Sequence, residues 1–454
     1  MKRKKLLSIL IIATMILMLT SCGKVETTTG ESNKETTTEA ASNDETTKPE
    51  ETSAEEQVTL RLLTLSTDEN RIAIMNDYIA PKIKEAFPNV NVEFEEGGGG
   101  EDYNNKVKTY NSTGDLPDVW YSDATFASAV MTAGNMLDMT SYVKEDGFLD
   151  KCAVPEAMYY KGGIYSLGSG ADTYFTPRIF YNKAIFEECD VTVPTTFDEL
   201  LDVCTKIADK GYTPVTTVGK GGWAPKLFLF QSMVTIEDPQ VMMDLLENKT
   251  DFSNPVVFNA LDRIDKLAES GAFPEGIAML DYGPAKEMFT SGQAAMYWMF
   301  TWELPSLDEL EDIDVDYFPW PAAGDAYDPN DAIQYWGSPV NGYSVYSKSE
   351  HPDLAVKLAE FCALQDALFY QASGTLVTLD TGEKMVDQSP LMVKNIDQYN
   401  GCSKKIASLT LNGMDAATNA EFETLGASLL TGEFSAQEFV DEFGPIWDEN
   451  TYFD

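Results

Sequence analysis

Histidine is almost missing from this chain: 454 residues contain one, His351. A Ser-His-Asp relay or a multi-histidine zinc centre needs imidazole as base or ligand, so both fall away before any motif is sought. Basic residues are scarce too, with 32 Lys and Arg against 74 Asp and Glu and a formal charge of −42. Nucleic acids and anionic lipid surfaces are gripped through Lys/Arg footprints, so neither is a fitting partner. Six cysteines form no CxxC pair, and setting Cys22 aside leaves Cys152, Cys189, Cys204, Cys362 and Cys402, an odd set that argues against a disulfide framework. After residue 22 no apolar run is long enough to span a bilayer, and no short repeat is found. GxSxG, HExxH and EF-hand patterns are absent. Gly97-Gly-Gly-Gly100 lacks a P-loop lysine and Gly219-Lys-Gly-Gly222 is similarly incomplete, so both read as flexible turns. With 74 acids, a glycosidase pair cannot be picked out by counting. Nothing here argues for an enzyme, a cofactor or a metal site.

What is present begins with an address. Lys2-Arg-Lys-Lys5 precedes an apolar run over 6–19, broken only by Ser8 and Thr14. That run is too short to cross a membrane comfortably and fits a signal-peptide core. It ends in Leu19-Thr-Ser-Cys-Gly23, which resembles the lipobox of bacterial lipoproteins. The resemblance implies that 1–21 is removed and that Cys22 is diacylated, becoming the first residue. Residues 23–57 are almost entirely Thr, Glu, Ser, Asn and Lys, with no aromatic. Such a stretch cannot bury enough apolar surface to offset its ordering entropy and is expected to stay a disordered tether.

From residue 58 the composition becomes globular; at about 150 residues per domain, the length allows two to three domains. Residues 58–65 alternate and are β-branched, predicting a strand. A helical stripe of Ile72, Met75, Ile79, Ile83 and Phe87 follows, then a second strand over 89–94. Strand, helix, strand predicts a βαβ unit with parallel pairing. A third strand is read at 118–121. A second α/β region opens with a strand at 178–181. Its helix starts at the capping box Thr196-Phe-Asp-Glu199 and ends at Gly211, with Leu200, Val203, Cys204 and Ile207 inward. Short strands are predicted at 294–299, 315–318 and 343–346. A long helix begins at Pro352 with Leu354, Ala355, Leu358, Phe361 and Cys362 inward, and His351 reads as its entry residue.

Aromatic residues make up 11%, including seven tryptophans. Trp223 sits in a Gly-rich turn, Trp302 follows a predicted strand, and Trp336 precedes Gly337-Ser-Pro339. Rings in such places can face a cleft, where sugars offer apolar C–H faces for stacking and hydroxyls for nearby Asp, Glu or Asn.

The series Pro88-Asn-Val-Asn-Val-Glu-Phe94, Gly114-Asp-Leu-Pro-Asp118, Gly162-Gly-Ile-Tyr-Ser-Leu167, Tyr181-Asn-Lys-Ala-Ile-Phe186, Pro194-Thr-Thr-Phe-Asp-Glu-Leu200, Phe289-Thr-Ser-Gly-Gln-Ala-Ala-Met296, Gly342-Tyr-Ser-Val345 and Pro352-Asp-Leu-Ala-Val-Lys-Leu-Ala-Glu-Phe361 covers 58–454 in order. It resembles the extracellular solute-binding proteins of ABC sugar transporters, the branch that includes maltose-binding proteins. The resemblance implies an α/β, bilobal, periplasmic-binding-protein-like fold of two Rossmann-like lobes joined by a multi-strand hinge. Lobe one would comprise 58–172 and 343–385, and lobe two 173–342 and 386–454. The chain would cross near 168–176, 337–343 and 381–390. Family positions for ligand contact fall on Asp68, Asp123, Asp172, Trp223, Trp302 and Trp336. The same resemblance implies a monomeric carbohydrate receptor that delivers its ligand to ABC permease subunits. It would meet the membrane only through its lipid, on the extracellular face of a bacterial cytoplasmic membrane. An exported glycan-active enzyme, a receptor for another polar solute, and a surface adhesin or sensory co-receptor are the rival readings.

Overall fold

Ten strands occur among the described residues of the computed structural model, which are 58–384, 386–409 and 413–453. They are β1 (Val58–Thr64), β2 (Val90–Glu96), β3 (Val119–Ser122), β4 (Pro177–Asn182), β5 (Thr213–Thr216), β6 (Ala294–Phe300), β7 (Val315–Phe318), β8 (Ala332–Gln334), β9 (Gly342–Val345) and β10 (Lys404–Ile406). The expected signal peptide, Cys22 and tether lie outside the described residues.

The first sheet has the order β2-β1-β3-β9. β1 runs parallel to β2, with Val58 opposite Val90, and parallel to β3. β9 joins β3 antiparallel, with Val119 opposite Val345. Leu60, Leu62 and Leu63 of β1 are buried, so the apolar run seen in the sequence serves as a central strand. The predicted βαβ crossover is present, but its buried stripe differs from the expected one. Ile72 is 44% exposed, and Ile74 takes its place in the core beside Ile79 and Ile83. The reason is a π-helical turn over Ile74–Ile79, whose wider turn, closed by bonds between residues five apart, brings Ile74 and Ile79 onto one face.

The second sheet has the order β5-β6-β4-β7, with β5 parallel to β6 and β4 antiparallel to both β6 and β7. β6 is buried along its whole length. The helix Phe197–Asp209 packs beside this sheet with both halves of its capping box formed between Thr196 and Glu199. Its inner face carries Leu200, Val203, Cys204 and Ile207. Burial pushes the Cys204 thiol up to about 12, as suits an inert core residue. All five cysteines from Cys152 onward are free thiols. The 21-residue helix Pro352–Ala372 packs against the first sheet, burying Ala355, Leu358 and Cys362; Leu354 and Phe361 are half-buried at its flanks.

The first two stretches expected to cross lie side by side. Leu167 and Tyr343 exchange backbone hydrogen bonds at 2.9 Å, and the Trp336 N–H donates to Phe175 O at 2.8 Å. The Leu379 N–H donates to Ser169 O at 3.2 Å, bringing the stretch before the third crossing to the first. Mixed sheets flanked by helices in two lobes, joined by adjacent crossings, give the bilobal α/β architecture.

Candidate functional site

The ends of the strands supply the site. Asp68 lies just past β1, Asp123 just past β3, and Asp172 on the first crossing. Trp223 follows β5, Trp302 follows β6 and Trp336 follows β8. All six line one cavity of about 510 Å³. The three indoles are half-buried and form a cluster. Ring centroids are 5.4 Å apart for Trp302 and Trp336, 6.1 Å for Trp223 and Trp336, and 6.3 Å for Trp223 and Trp302. Trp302 also stacks on Phe300 at 4.7 Å and meets the edge of Phe175 at 5.8 Å. Edge and offset contacts of this kind lock ring orientation.

The carboxylates are held by backbone. Asp68 caps the helix after β1, accepting from the Arg71 N–H at 3.0 Å. Asp123 caps the helix Ala124–Thr132, accepting from the Thr125 N–H at 2.8 Å. Asp172 accepts from the Ser338 N–H at 3.4 Å, across to the second crossing. Burial pushes all three carboxyls up, Asp172 to about 6. Helix-cap bonds to Arg71 and Thr125 oppose the rise at Asp68 and Asp123.

Sequence reasoning missed the groups that brace these six. Arg71 lines the cavity, ion-pairs with the buried Asp366 at 2.8 Å, bonds Tyr121 Oη at 2.9 Å and lies 4.0 Å over the Tyr121 ring. The Trp302 indole N–H donates to Tyr282 Oη at 2.6 Å. Tyr282 in turn donates to Glu303, which also accepts from the Tyr297 hydroxyl at 3.1 Å and pairs with Lys286 at 3.0 Å. Burial raises the Glu303 carboxyl against the pull of Lys286. Three contacts tie residues following β1 and β2 to the tryptophan side: Asn70 Nδ2 to Trp302 O at 2.9 Å, Lys286 to Glu69 at 3.2 Å, and Lys220 to Glu101 at 3.5 Å.

The two glycine runs are close packing points rather than flexible turns. A Cβ on Gly97 would lie 2.5 Å from Thr64 O, and one on Gly222, at φ +67°, would lie 1.8 Å from Glu423 O. The second approach seats Trp223 at the cavity wall. Among the described residues no group of three His, Cys, Asp or Glu is arranged to hold a metal ion, and no helix is long and apolar enough to cross a membrane.

Residues 68–367 match the bacterial extracellular solute-binding protein family. The chain belongs to that family. As a solute-binding protein it is 23% identical over 299 residues to a multiple sugar-binding protein of Streptococcus mutans, covering 63% of this chain and 68% of the relative. Two solved structures share the fold. One, from work on xylan utilization by the thermophilic bacterium Caldanaerobius polysaccharolyticus, has a TM-score of 0.72 at 22% identity, covering 86% of this chain and 100% of that one. The other, a sugar transporter protein of Bacillus licheniformis in complex with stachyose, has a TM-score of 0.65 at 17% identity, covering 87% and 100%. The bilobal expectation agrees with the fold that this solute-binding protein shares with these structures.

Proposed function

We propose that this solute-binding protein is an extracellular receptor for an oligosaccharide, which it captures between its lobes and delivers to the permease of an ABC importer. The observation that carries this reading is the three-indole cluster sharing one cavity with Asp68, Asp123 and Asp172. Sugar rings stack their C–H faces on indoles, and buried carboxylates accept hydroxyl hydrogen bonds worth about 1.5–3 kcal/mol each. The sugar-binding names of the relatives support the same choice. Ligand held by both lobes favours the closed arrangement by its differential affinity, and the permease then reads the closed surface.

The finer parts of the reading rest on the sequence. Cys22 anchors a monomeric protein through lipid to the outer face of the cytoplasmic membrane, and 23–57 lifts the body away from it. The lobes divide at 172/173, 342/343 and 385/386. The site binds without catalysing. A thermal-shift screen of the purified protein against mono- and oligosaccharides tests the function: a ligand at 100 times its Kd adds about 2.7 kcal/mol to stability. Absence of any sugar-dependent shift, or release of cleavage products during incubation, would defeat the reading.

A further inference from the structure

We propose that the cleft selects uncharged sugars and rejects acidic ones, with Asp68, Asp123 and Asp172 as the residues that discriminate; this rests on the sugar-receptor reading and deepens it. Six carboxylates and three cations line the cavity. The cations are committed or peripheral. Arg71 is paired with Asp366 at 2.8 Å, Lys220 is shared between Asp281 at 3.0 Å and Glu101 at 3.5 Å, and Lys108 is exposed. Glu423, another lining acid, pairs with the buried Lys226 at 2.9 Å. Asp68, Asp123 and Asp172 remain, and none of them is ion-paired among the described residues. There, their hydrogen-bond partners are backbone N–H groups and the Thr125 hydroxyl.

A carboxylate is an acceptor without a proton to give, so it accepts from the hydroxyls of a neutral sugar. A uronic acid replaces the C6 hydroxymethyl donor with a second carboxylate. That group removes one donor and sets a negative charge against three others in a partly desolvated space. Like-charge contact is how binding sites suppress wrong partners. Of the three lining cations that would relieve it, Arg71 and Lys220 are already paired and Lys108 is exposed, and a chain of net charge −42 opposes the approach of any anion.

The test is calorimetry on the purified protein with matched pairs: galactotriose and trigalacturonate, cellotriose and its oxidised triuronate, xylotriose and its glucuronosyl derivative. Whichever neutral member binds, its acidic counterpart should bind weaker by about a hundredfold or more. Asp172→Asn should recover about tenfold of that gap. Asp123→Asn, which keeps a helix-capping side chain, should also narrow it and serves if the first variant folds poorly. An acidic sugar binding as well as its neutral partner would overturn the proposal. So would an unchanged gap in folded Asp→Asn variants, since the carboxylates would then not be the selectors. If neither member of any pair binds, the thermal-shift screen decides: no sugar-dependent shift there defeats the sugar-receptor reading, and a sugar found there is tested against its own acidic counterpart.

Discussion

Asp172 stands where function and stability pull apart, and replacing it with Asn measures the tension. Its carboxyl sits on the first crossing, facing the cavity. Burial lifts it from 3.8 to about 6, with the nearby Asp366 carboxylate adding to the rise; the Ser338 N–H and Arg71 oppose it. A folded-state value above the unfolded one means that ionised Asp172 destabilises the fold. The penalty is fully present above about pH 6 and disappears as pH falls from there towards 3.8. The elevation corresponds to about 3 kcal/mol at neutral pH. Asn cannot ionise, and its side-chain oxygen can still accept from Ser338. Asp172→Asn should therefore melt higher than the parent by about 4 °C at pH 7.5, given an unfolding entropy near 2 cal/mol/K per residue over this body. At pH 4 the two proteins should melt nearly together. Differential scanning calorimetry at both pH values checks this. Equal melting at pH 7.5, or equal shifts at both pH values, would refute the argument from buried charge. The same variant should bind a neutral sugar more weakly, because a charged acceptor has been exchanged for a neutral one; stability gained at the expense of binding is the usual trade at a functional site.

Trp302→Ala should weaken sugar binding by more than tenfold, about 1.4 kcal/mol, by calorimetry, and should lower the melting temperature as well, because the ring is packed on Phe300, Phe175 and Trp336. Trp302→Phe should fall between. Asp366→Ala leaves the Arg71 guanidinium buried without its partner and should destabilise by about 3–5 kcal/mol in urea unfolding, with Asp366→Asn milder. Cys22→Ala should abolish diacylation, and finding the diacylated species by mass spectrometry of that variant would sink the lipoprotein reading.

The parts of the fold that could be read beforehand are those decided by neighbours in sequence. The Thr196 capping box needs only Glu199, three residues on, and the strand at 58–64 needs only its own apolar run. The helix after β1 could not be read in the same way. Its periodicity assumes 3.6 residues per turn, and the π-helical turn at Ile74–Ile79 breaks that assumption; the one local cue is Pro81, two residues on, which has no N–H to donate back into that turn. Gly97 and Gly222 misled for a related reason. A glycine run in a sequence signals freedom, whereas the demand on these two comes from Thr64 and Glu423, partners 33 and 201 residues away.

The same distinction divides the site. Trp223, Trp302 and Trp336 were visible because each stands beside turn-forming residues or a strand end. The three acids next to them came only from the resemblance to the solute-binding family, since among 74 acidic residues nothing local sets them apart. Arg71 had no local signal. Its meaning depends on Asp366, 295 positions later, with Tyr121 and Tyr370 closing around it. Tyr282 is equally silent until the fold sets its hydroxyl between the Trp302 indole and Glu303. A residue that touches ligand can often be inferred from being an unusual type in an exposed place. A residue that holds such a group still is an ordinary type in a buried place, and only the three-dimensional arrangement separates it from core. Substitution at Tyr282, which also lines the cavity, should accordingly act in part through Trp302, altering affinity by loosening the ring.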